Sequence, residues 1–254
     1  MKMKYIQYLI SVFLLCSLTT QAAQWTENLQ YKWRLGYNIG GTAPIGMPAT
    51  IRSMNEYKLQ PNFTLGFDVE KPLGGNWGIT TGLHLENKGM KVDATVKNYH
   101  IEMRKGSDPN VIMGYYTGNL VTEVEEWMLT LPVQATYSIG RKWQLRLGPY
   151  ISYVATKTFE GYVYDGYLRT PIPTGDKILI GNTEESRGTY DFSDEMRHIQ
   201  AGVDIGADFR FGERWGIYGD VAWGLTGIHR SSFKTIEQTL YPIFGTFGIT
   251  YRLK

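Results

Sequence analysis

The chain has 254 residues, of which 29 are glycine and 35 are aromatic (7 Trp, 18 Tyr and 10 Phe). Its formal net charge of +2 gives no reason to expect a nucleic-acid partner, and its single cysteine, Cys16, excludes a disulfide framework. Beyond the N-terminal 22 residues no segment approaches the roughly 20 apolar residues of a membrane helix, so a membrane-spanning form of this chain would have to be a closed β-barrel.

The first 22 residues have the pattern of a secretory signal peptide. Lys2 and Lys4 precede an apolar run, and the small-x-small motif Thr20-Gln21-Ala22 follows it. A membrane anchor is the alternative, but the apolar run is short for a span and its flanks suit a signal. We therefore expect residues 1–22 to be a signal peptide and residues 23–254 to form one mature domain.

Runs in which apolar and polar residues alternate fill most of the mature chain, which is the pattern of β-strands with two different faces. Three hairpins each return through a short polar turn followed by a tryptophan, at Trp77, Trp143 and Trp215. With one strand before and one after them, the hairpins give eight strands. The sequence therefore predicts an all-β fold: an eight-stranded antiparallel up-and-down transmembrane β-barrel with short periplasmic turns and long extracellular loops.

Large aromatic residues on the apolar faces lie at the short-turn ends of the strands. Alternation alone does not say which face is inside, because a soluble sandwich or lipocalin-like barrel would bury the apolar face. Amphipathic rings gathered at strand ends favour a bilayer, where they suit the headgroup layer. We predict that the periplasmic membrane girdle consists of Trp33, Trp77, Trp143, Trp215 and Tyr251.

The opposite strand faces carry charged residues of both signs, which would line the lumen of the barrel. An eight-stranded barrel has an interior that side chains fill, and isolated charges there would be costly. We therefore predict an internal network of ion pairs that serves as structural filling, with a proton or ion path as the alternative. Its predicted members are Arg34, Asp68, Glu86, Arg146, Asp204, Arg210 and Asp220.

The strand pair that follows the first short turn is longer than a membrane crossing requires. The strand that begins at Trp77 continues irregularly to Met103, and its partner begins near Tyr115. A tilted strand crosses a bilayer in about 10 residues, so we expect both arms to extend beyond the membrane as an exposed sheet.

The longest connection, residues 159–196, is rich in Tyr, Gly and Pro and is predicted to be an extracellular loop. Exposed amphipathic aromatic residues suit binding surfaces, so Tyr162, Tyr164 and Tyr167 are predicted to contact a ligand. In the alternatives these tyrosines cap the mouth of the barrel, or the segment forms a further hairpin and raises the strand count to ten.

One group of residues matches a catalytic pattern. His229 and Ser231, with Glu237 nearby, are predicted to lie at the outer, lipid-facing end of the seventh strand, where His could activate Ser against a lipid ester. The arrangement is similar to the His-x-Ser pair of outer-membrane lipid A deacylases. The sequence has no phosphate-binding glycine loop, no Cys or His metal cluster and no Gly-x-Ser-x-Gly elbow, so we expect no metal and no cofactor.

The signal peptide, the eight alternating strands, the Gly-x-x-Trp turns and the closing segment, residues 245–254, resemble the PorT-like outer-membrane β-barrel domain proteins of Gram-negative bacteria. The resemblance covers essentially the whole mature chain. It implies a location in the bacterial outer membrane, in contact with outer-membrane lipid, and for some members of the family a role in protein secretion.

These observations together predict a non-catalytic outer-membrane barrel whose extracellular loops bind a protein, glycan or surface component. The first alternative is an accessory component of a protein secretion or envelope-assembly complex. The second is a lipid A-modifying esterase that uses His229 and Ser231.

Overall fold

The computed structural model describes residues 27–46, 48–236 and 238–253. The predicted signal peptide lies outside these residues. Within them the chain forms eleven strands and one short 3-10 helix, Ser193–Glu195: β1 Gln30–Pro44, β2 Ile51–Lys58, β3 Phe63–Gly74, β4 Trp77–Lys105, β5 Val111–Ile139, β6 Trp143–Thr170, β7 Asp176–Ile180, β8 Gly188–Asp191, β9 Ile199–Arg210, β10 Trp215–Gly224 and β11 Leu240–Arg252. No helix in this part of the chain has the length and apolar character needed to cross a bilayer.

Eight of the strands close into a ring, in the order β1, β3, β4, β5, β6, β9, β10 and β11, with every neighbouring pair antiparallel. The seam is the pairing of β1 with β11, which runs from Lys32 opposite Arg252 to Pro44 opposite Leu240. The predicted eight-stranded barrel is confirmed, and the ten-strand alternative is wrong because β2, β7 and β8 lie outside this ring.

The apolar faces of the barrel strands point outward. On β10, Trp215, Ile217 and Val221 are each about half exposed, whereas Tyr218 between them is 5% exposed. Alternating residues lie on opposite sides of a strand, so the polar side chains are enclosed and the apolar ones form the outer surface. This is the arrangement of a barrel in lipid, and it is the reverse of a soluble one.

The predicted girdle residues lie together at the short-turn end, in a ring that we call the periplasmic belt: Trp33, Trp77, Trp143, Trp215 and Tyr251. Register places Tyr251 opposite both Trp33 and Trp215. The Trp215 and Tyr251 rings are 4.8 Å apart, and Trp77 and Trp143 have similar neighbours on the adjoining strands. Both ends of the described barrel, at β1 and β11, lie on this side.

Three barrel strands continue far beyond the membrane. β4 and β5 have 29 residues and β6 has 28, whereas a tilted strand crosses a bilayer in about 9–11. Their outer halves pair with β2, β7 and β8. β8 also pairs with β4 at Arg104 and Lys105, which closes a second, smaller ring. We call this region, residues 51–58, 90–124, 157–198 and 225–236, the extracellular head.

The head has an apolar core, unlike the barrel below it. On the inward face of β4, Glu86 and Lys88 are followed two residues later by Met90 and then by Ala94 and Val96. β5 and β6 change in the same way at the same height. The buried residues of the head core include Ile101, Met103, Tyr116, Leu120, Val124, Phe159, Val163, Leu168, Ile180 and Tyr190.

The predicted loop over residues 159–196 is largely strand, which corrects the sequence prediction. β6 continues to Thr170, and β7 and β8 follow within the same segment. Glycines and tyrosines interrupt the alternation of apolar and polar residues in this segment. The glycines are required where β8 packs closely against its neighbours. A Cβ at Gly161 would collide with the Tyr190 ring, and one at Gly188 would collide with Met103 and Val163.

Candidate functional site

Asp208 lies in the periplasmic half of the lumen, and three cations surround it. Lys32 donates to one carboxylate oxygen at 2.8 Å, and the Arg34 guanidinium bonds both oxygens at 3.1 and 3.3 Å. The Arg146 Nε donates to the other oxygen at 3.1 Å. Since both oxygens of Asp208 are fully engaged, this buried carboxylate is well compensated.

The same two arginines reach further acids on other strands. Arg34 is paired with Asp68, which also contacts the His84 ring at 2.7 Å, and Arg146 is paired with Asp220. The Arg34 guanidinium also lies 4.7 Å from the centre of the Tyr218 ring. The side chains that span the lumen thus come from six strands: β1, β3, β4, β6, β9 and β10.

Further polar contacts lie in the outer half of the lumen, joined to the first group through Gln134. Lys88 donates to Glu86 at 2.9 Å, and the Thr130 hydroxyl donates to the same carboxylate at 2.6 Å. Asp204 accepts from Gln134 at 2.8 Å, and Gln134 in turn accepts from Arg146. The lumen is therefore crossed by side-chain bonds at several heights, which suits structural filling rather than passage.

The predicted lumen residues fall into three groups. Arg34, Asp68, Arg146 and Asp220 meet around Asp208, while Glu86 and Asp204 lie in the outer half. Arg210 is the exception, since it is half-buried at the periplasmic end and forms no ion pair within the described residues. Lys32 and Asp208 belong to this network but were not among its predicted members, although Lys32 shares a strand face with Arg34 and Asp208 shares one with Asp204 and Arg210.

The predicted catalytic residues do not form a catalytic group. β10 ends at Gly224, so His229 lies in the connection after it and not on a lipid-facing strand, which corrects the prediction. Its ring packs against Phe159 and Phe233 at 4.6 and 4.8 Å, and burial lowers its pKa to about 4. Ser231 is exposed, and no hydrogen bond joins it to His229. Glu237 lies outside the described residues.

The three predicted ligand-binding tyrosines lie on strand β6, and all are partly buried. The Arg187 guanidinium lies 4.8 Å from the centre of the Tyr162 ring, and the Tyr164 hydroxyl donates to Asp93 at 2.6 Å. That bond to a carboxylate raises the pKa of Tyr164 to about 12. Tyr167 lies farther out, with the Lys177 ammonium 4.4 Å from its ring centre. These rings are held by neighbouring side chains rather than displayed on a loop.

Tyr162 and Arg187 line a cleft of about 1120 Å³ in the extracellular head. Its walls come from β4, β5, β6 and β8 and from the connection between β10 and β11. Charges of both signs face it: the acids Glu102, Glu123, Glu160, Asp191, Asp194 and Glu195, and the bases Lys91, Arg104, Arg187 and Lys234. No group of three or more His, Cys, Asp or Glu side chains in the described part of the chain is placed to hold a metal ion.

Comparisons with solved structures find outer-membrane proteins. The attachment invasion locus protein Ail of Yersinia pestis, crystallised with the heparin analogue sucrose octasulfate, is 10% identical, with a TM-score of 0.40 over 89% of this chain and 99% of Ail. The translocator domain of autotransporter NalP from Neisseria meningitidis is 12% identical, with a TM-score of 0.26 over 97% of each chain. No curated protein matches the chain.

The family comparison is decisive. Residues 21–230 match the outer membrane protein beta-barrel domain family, and this match covers most of the chain. It agrees with a ring of eight antiparallel strands whose apolar faces point outward. The chain therefore belongs to the outer membrane protein beta-barrel domain family and is a protein of the bacterial outer membrane.

Proposed function

We propose that this protein is a non-catalytic binding protein of the outer membrane, whose barrel is an anchor and whose extracellular head binds a protein, glycan or surface component. The observation that carries the proposal is the cleft of about 1120 Å³ in the head. Concave sites of this size, with a few fixed polar groups, are where ligands usually bind.

The walls of the cleft are held in place by interactions within the head. Lys91 donates to Glu123 at 2.6 Å, and the Arg187 guanidinium is stacked on Tyr162. Because Lys91, Glu123 and Tyr162 lie on paired strands and Arg187 directly precedes β8, little conformational entropy is lost when a ligand binds. The cleft therefore has the preorganised polar and aromatic groups that a specific ligand needs.

Charge in the cleft narrows the class of ligand. Six carboxylates and four cations face it, so the wall carries an excess of negative charge. A polyanion would be repelled, whereas hydroxyl groups or a cationic segment could bond to the free carboxylate oxygens. We infer that the ligand is a neutral or cationic glycan, or a peptide without a strong negative charge.

A lipid-modifying activity is not supported by the arrangement of His229. A general base must reach the proton that it removes, yet the His229 ring is packed between two phenylalanines and its low pKa reflects an apolar site. Replacing Ser231 with Ala is expected to leave the lipid A profile unchanged in mass spectrometry. A shifted profile would restore the esterase interpretation.

The binding proposal is tested with protein in lipid nanodiscs on an array of neutral, cationic and sulfated glycans and on immobilised surface proteins. We expect Tyr162→Ala and Arg187→Gln to weaken the strongest signal at least tenfold. Arg52→Gln on β2, which does not line the cleft, is the matched control and should bind like the unchanged protein. Equal signals from all four proteins, or none above empty nanodiscs, would contradict the proposal.

A second candidate, suggested by the PorT-like resemblance, is an accessory role in a secretion or envelope-assembly complex. β2 pairs only with β4 within the described residues, so one of its edges is open to strand addition by another chain. A photo-crosslinking residue at Met54, which is exposed on β2, should then capture a discrete envelope protein in cells. The same probe at Arg141 in a periplasmic turn is the control, and identical products from both positions would reject this role.

A further inference from the structure

The lumen network leaves several cations at the periplasmic end without a carboxylate. Arg210 and Arg252 are half-buried there, and Lys142 and Arg214 lie in the two turns beside them. Within the described residues none of the four has an acidic group in ion-pair distance. Arg214 donates instead to the Tyr251 hydroxyl at 3.2 Å. We call this group the basic mouth.

The backbone brings these cations together. The Arg210 N–H donates to the Lys142 carbonyl, and the Arg252 N–H donates to the Arg214 carbonyl, each at 2.8 Å. These bonds join the end of β9 to the turn before β6 and the end of β11 to the turn before β10. The side chains on them are held near each other by main-chain bonds, so mutual repulsion does not simply separate them.

A small cavity lies among these side chains. Its volume is about 20 Å³, enough for about one water-sized group, and five cations line it with a single acid, Asp208. Gly216 lies between Arg210 and Thr250 in the sheet register. A Cβ at Gly216 would lie 2.7 Å from the Thr250 hydroxyl oxygen, so the missing side chain helps to keep this space open.

Nearby acids do not balance the basic mouth. Asp208 already accepts from Lys32, Arg34 and Arg146, and both of its oxygens are used. Glu70 accepts from Gln144 and lies 3.6 Å from Lys32. Glu70 and Asp208 also attract Arg252, but only from beyond ion-pair distance. Half-buried cations without a directly paired carboxylate attract an anion from solution, and guanidinium forks fit the paired oxygens of a phosphate group.

We propose that the basic mouth is a binding site for a phosphate group at the periplasmic end of the barrel. One phosphate oxygen would fill the cavity beside Arg210 and Arg252, the rest of the group would lie at the opening of the cavity, and Lys142 and Arg214 would add charge from the rim. A phospholipid headgroup of the inner leaflet and a soluble phosphate compound present the same chemistry. This site is independent of the extracellular cleft and faces the opposite compartment.

The first test is calorimetric titration of the detergent-purified protein with inorganic phosphate, at constant ionic strength set by chloride. We expect saturable binding that weakens at least tenfold in Arg210→Gln and in Arg252→Gln. Arg141→Gln removes the same charge from the same end of the barrel without touching the cavity, and it should change the affinity less than twofold. Equal affinity in all variants, or heats no larger than those of added chloride, would overturn the site.

The second test separates the two sources of phosphate. Protein in nanodiscs of mixed phosphatidylglycerol and phosphatidylcholine is released into a native mass spectrometer, and the retained lipid is counted. Retention of phosphatidylglycerol by the unchanged protein but not by the Arg210→Gln, Arg252→Gln double variant indicates a headgroup site. Phosphate binding without lipid retention indicates a soluble ligand, and the absence of both refutes the proposal.

Folding of each variant is checked by its heat-dependent shift in gel mobility. Should the double variant fail to fold, Lys142→Gln takes its place, because this exposed turn residue bears no inward packing. It lines the same cavity, so it too is expected to weaken phosphate binding, by a smaller factor than either arginine variant. An unchanged affinity in Lys142→Gln and in both single arginine variants would overturn the proposal.

Discussion

The barrel and the extracellular head share three long strands, β4, β5 and β6, yet their interiors are opposite in character. On one face of β4, Glu86 and Lys88 point into the lumen, and Met90 and Val96, a few residues farther on, point into the head core. The barrel has lipid outside and polar groups inside. The head has water outside and apolar groups inside.

The difference shows what sets the pattern of a strand. Alternation is required by the sheet, but which set of residues is apolar depends on the medium that surrounds that height of the sheet. The change occurs close to Trp127 on β5, at the outer end of the apolar surface. Stability should therefore depend on buried charges in the barrel and on side-chain packing in the head.

The largest effect is expected from Arg34→Gln in the barrel. Removing this guanidinium leaves Asp68 and Asp208 buried with less compensation, which should lower the free energy of unfolding by about 3–5 kcal/mol. Denaturant unfolding of the protein in lipid vesicles measures this free energy. Arg210→Gln, outside the ion-pair network, is the control and should lower it by less than about 1 kcal/mol. Equal losses in the two variants would show that the lumen charges do not stabilise the barrel.

Leu168→Ala should act on the head alone. Leu168 is fully buried in the head core, and loss of its side chain should cost about 2–5 kcal/mol of local stability. Hydrogen exchange by mass spectrometry should show lost protection in β6 beyond Phe159 and in β8, with the barrel unchanged. Leu85→Ala on the lipid-facing surface is the control, and head protection should not change there.

Acid should loosen the head through His229. Burial lowers the pKa of His229 to about 4 from an ordinary value near 6.5, so the unfolded head binds a proton more readily than the folded one. Head stability is therefore complete above about pH 6.5 and falls toward pH 4, by at most about 3 kcal/mol. His229→Phe should remove this part of the pH dependence, as measured by proteolysis of the head at each pH, and an identical pH profile would contradict it.

The smallest effect is expected from Lys91→Gln in the head. Lys91 and Glu123 form a partly exposed ion pair at 2.6 Å, and water can replace the lost partner, so the change should cost under about 1 kcal/mol. Lys88→Gln, three residues earlier in the lumen, leaves the buried Glu86 without its cation. This change should lower the free energy of unfolding several times more. Thermal unfolding of the two variants compares the same substitution in the two regions.

The barrel was predictable because each of its strands has one uniform face in contact with lipid. Trp215, Ile217 and Val221 recur at every second position, and the turn before Trp215 marks the strand start. Those two signals are local, so the sequence alone carries them. The aromatic residues gathered at the strand ends also predicted which face of each strand points outward.

The head was less predictable because its strands change character and phase. Beyond Phe159 both faces of β6 carry tyrosine and glycine, so no alternation marks the strand. On β4 a register shift between Val96 and Tyr99, where Asn98 has φ of 59°, moves the inward face to Ile101 and Met103. Pairing with β5, β7 and β8 orders the outer half of β6, and local sequence patterns do not contain these contacts.

The candidate sites show the same division. The alternation of apolar and polar residues placed Arg34, Asp68 and Arg146 in the lumen. It could not place Asp208 among them, because contacts across the lumen depend on which strands face each other in the closed barrel. His229 was misplaced because β10 stops at Gly224, short of the outer end that the pattern predicted. The cleft in the head joins residues from segments far apart in the chain, so only the assembled sheet reveals it.

The ion pairs across the lumen also bear on how the ring assembles. Arg34 lies on the first strand of the ring and Asp208 on the sixth, so an open, uncurled sheet keeps them far apart and hydrated. They meet, and lose their water, only as β1 joins β11. Pairs between adjacent strands, such as Arg34 with Asp68 and Arg146 with Asp208, can form in the open sheet, but the pairs of β1 with Asp208 form only when the seam closes. Ring closure and the last step of charge neutralisation in the lumen are therefore coupled.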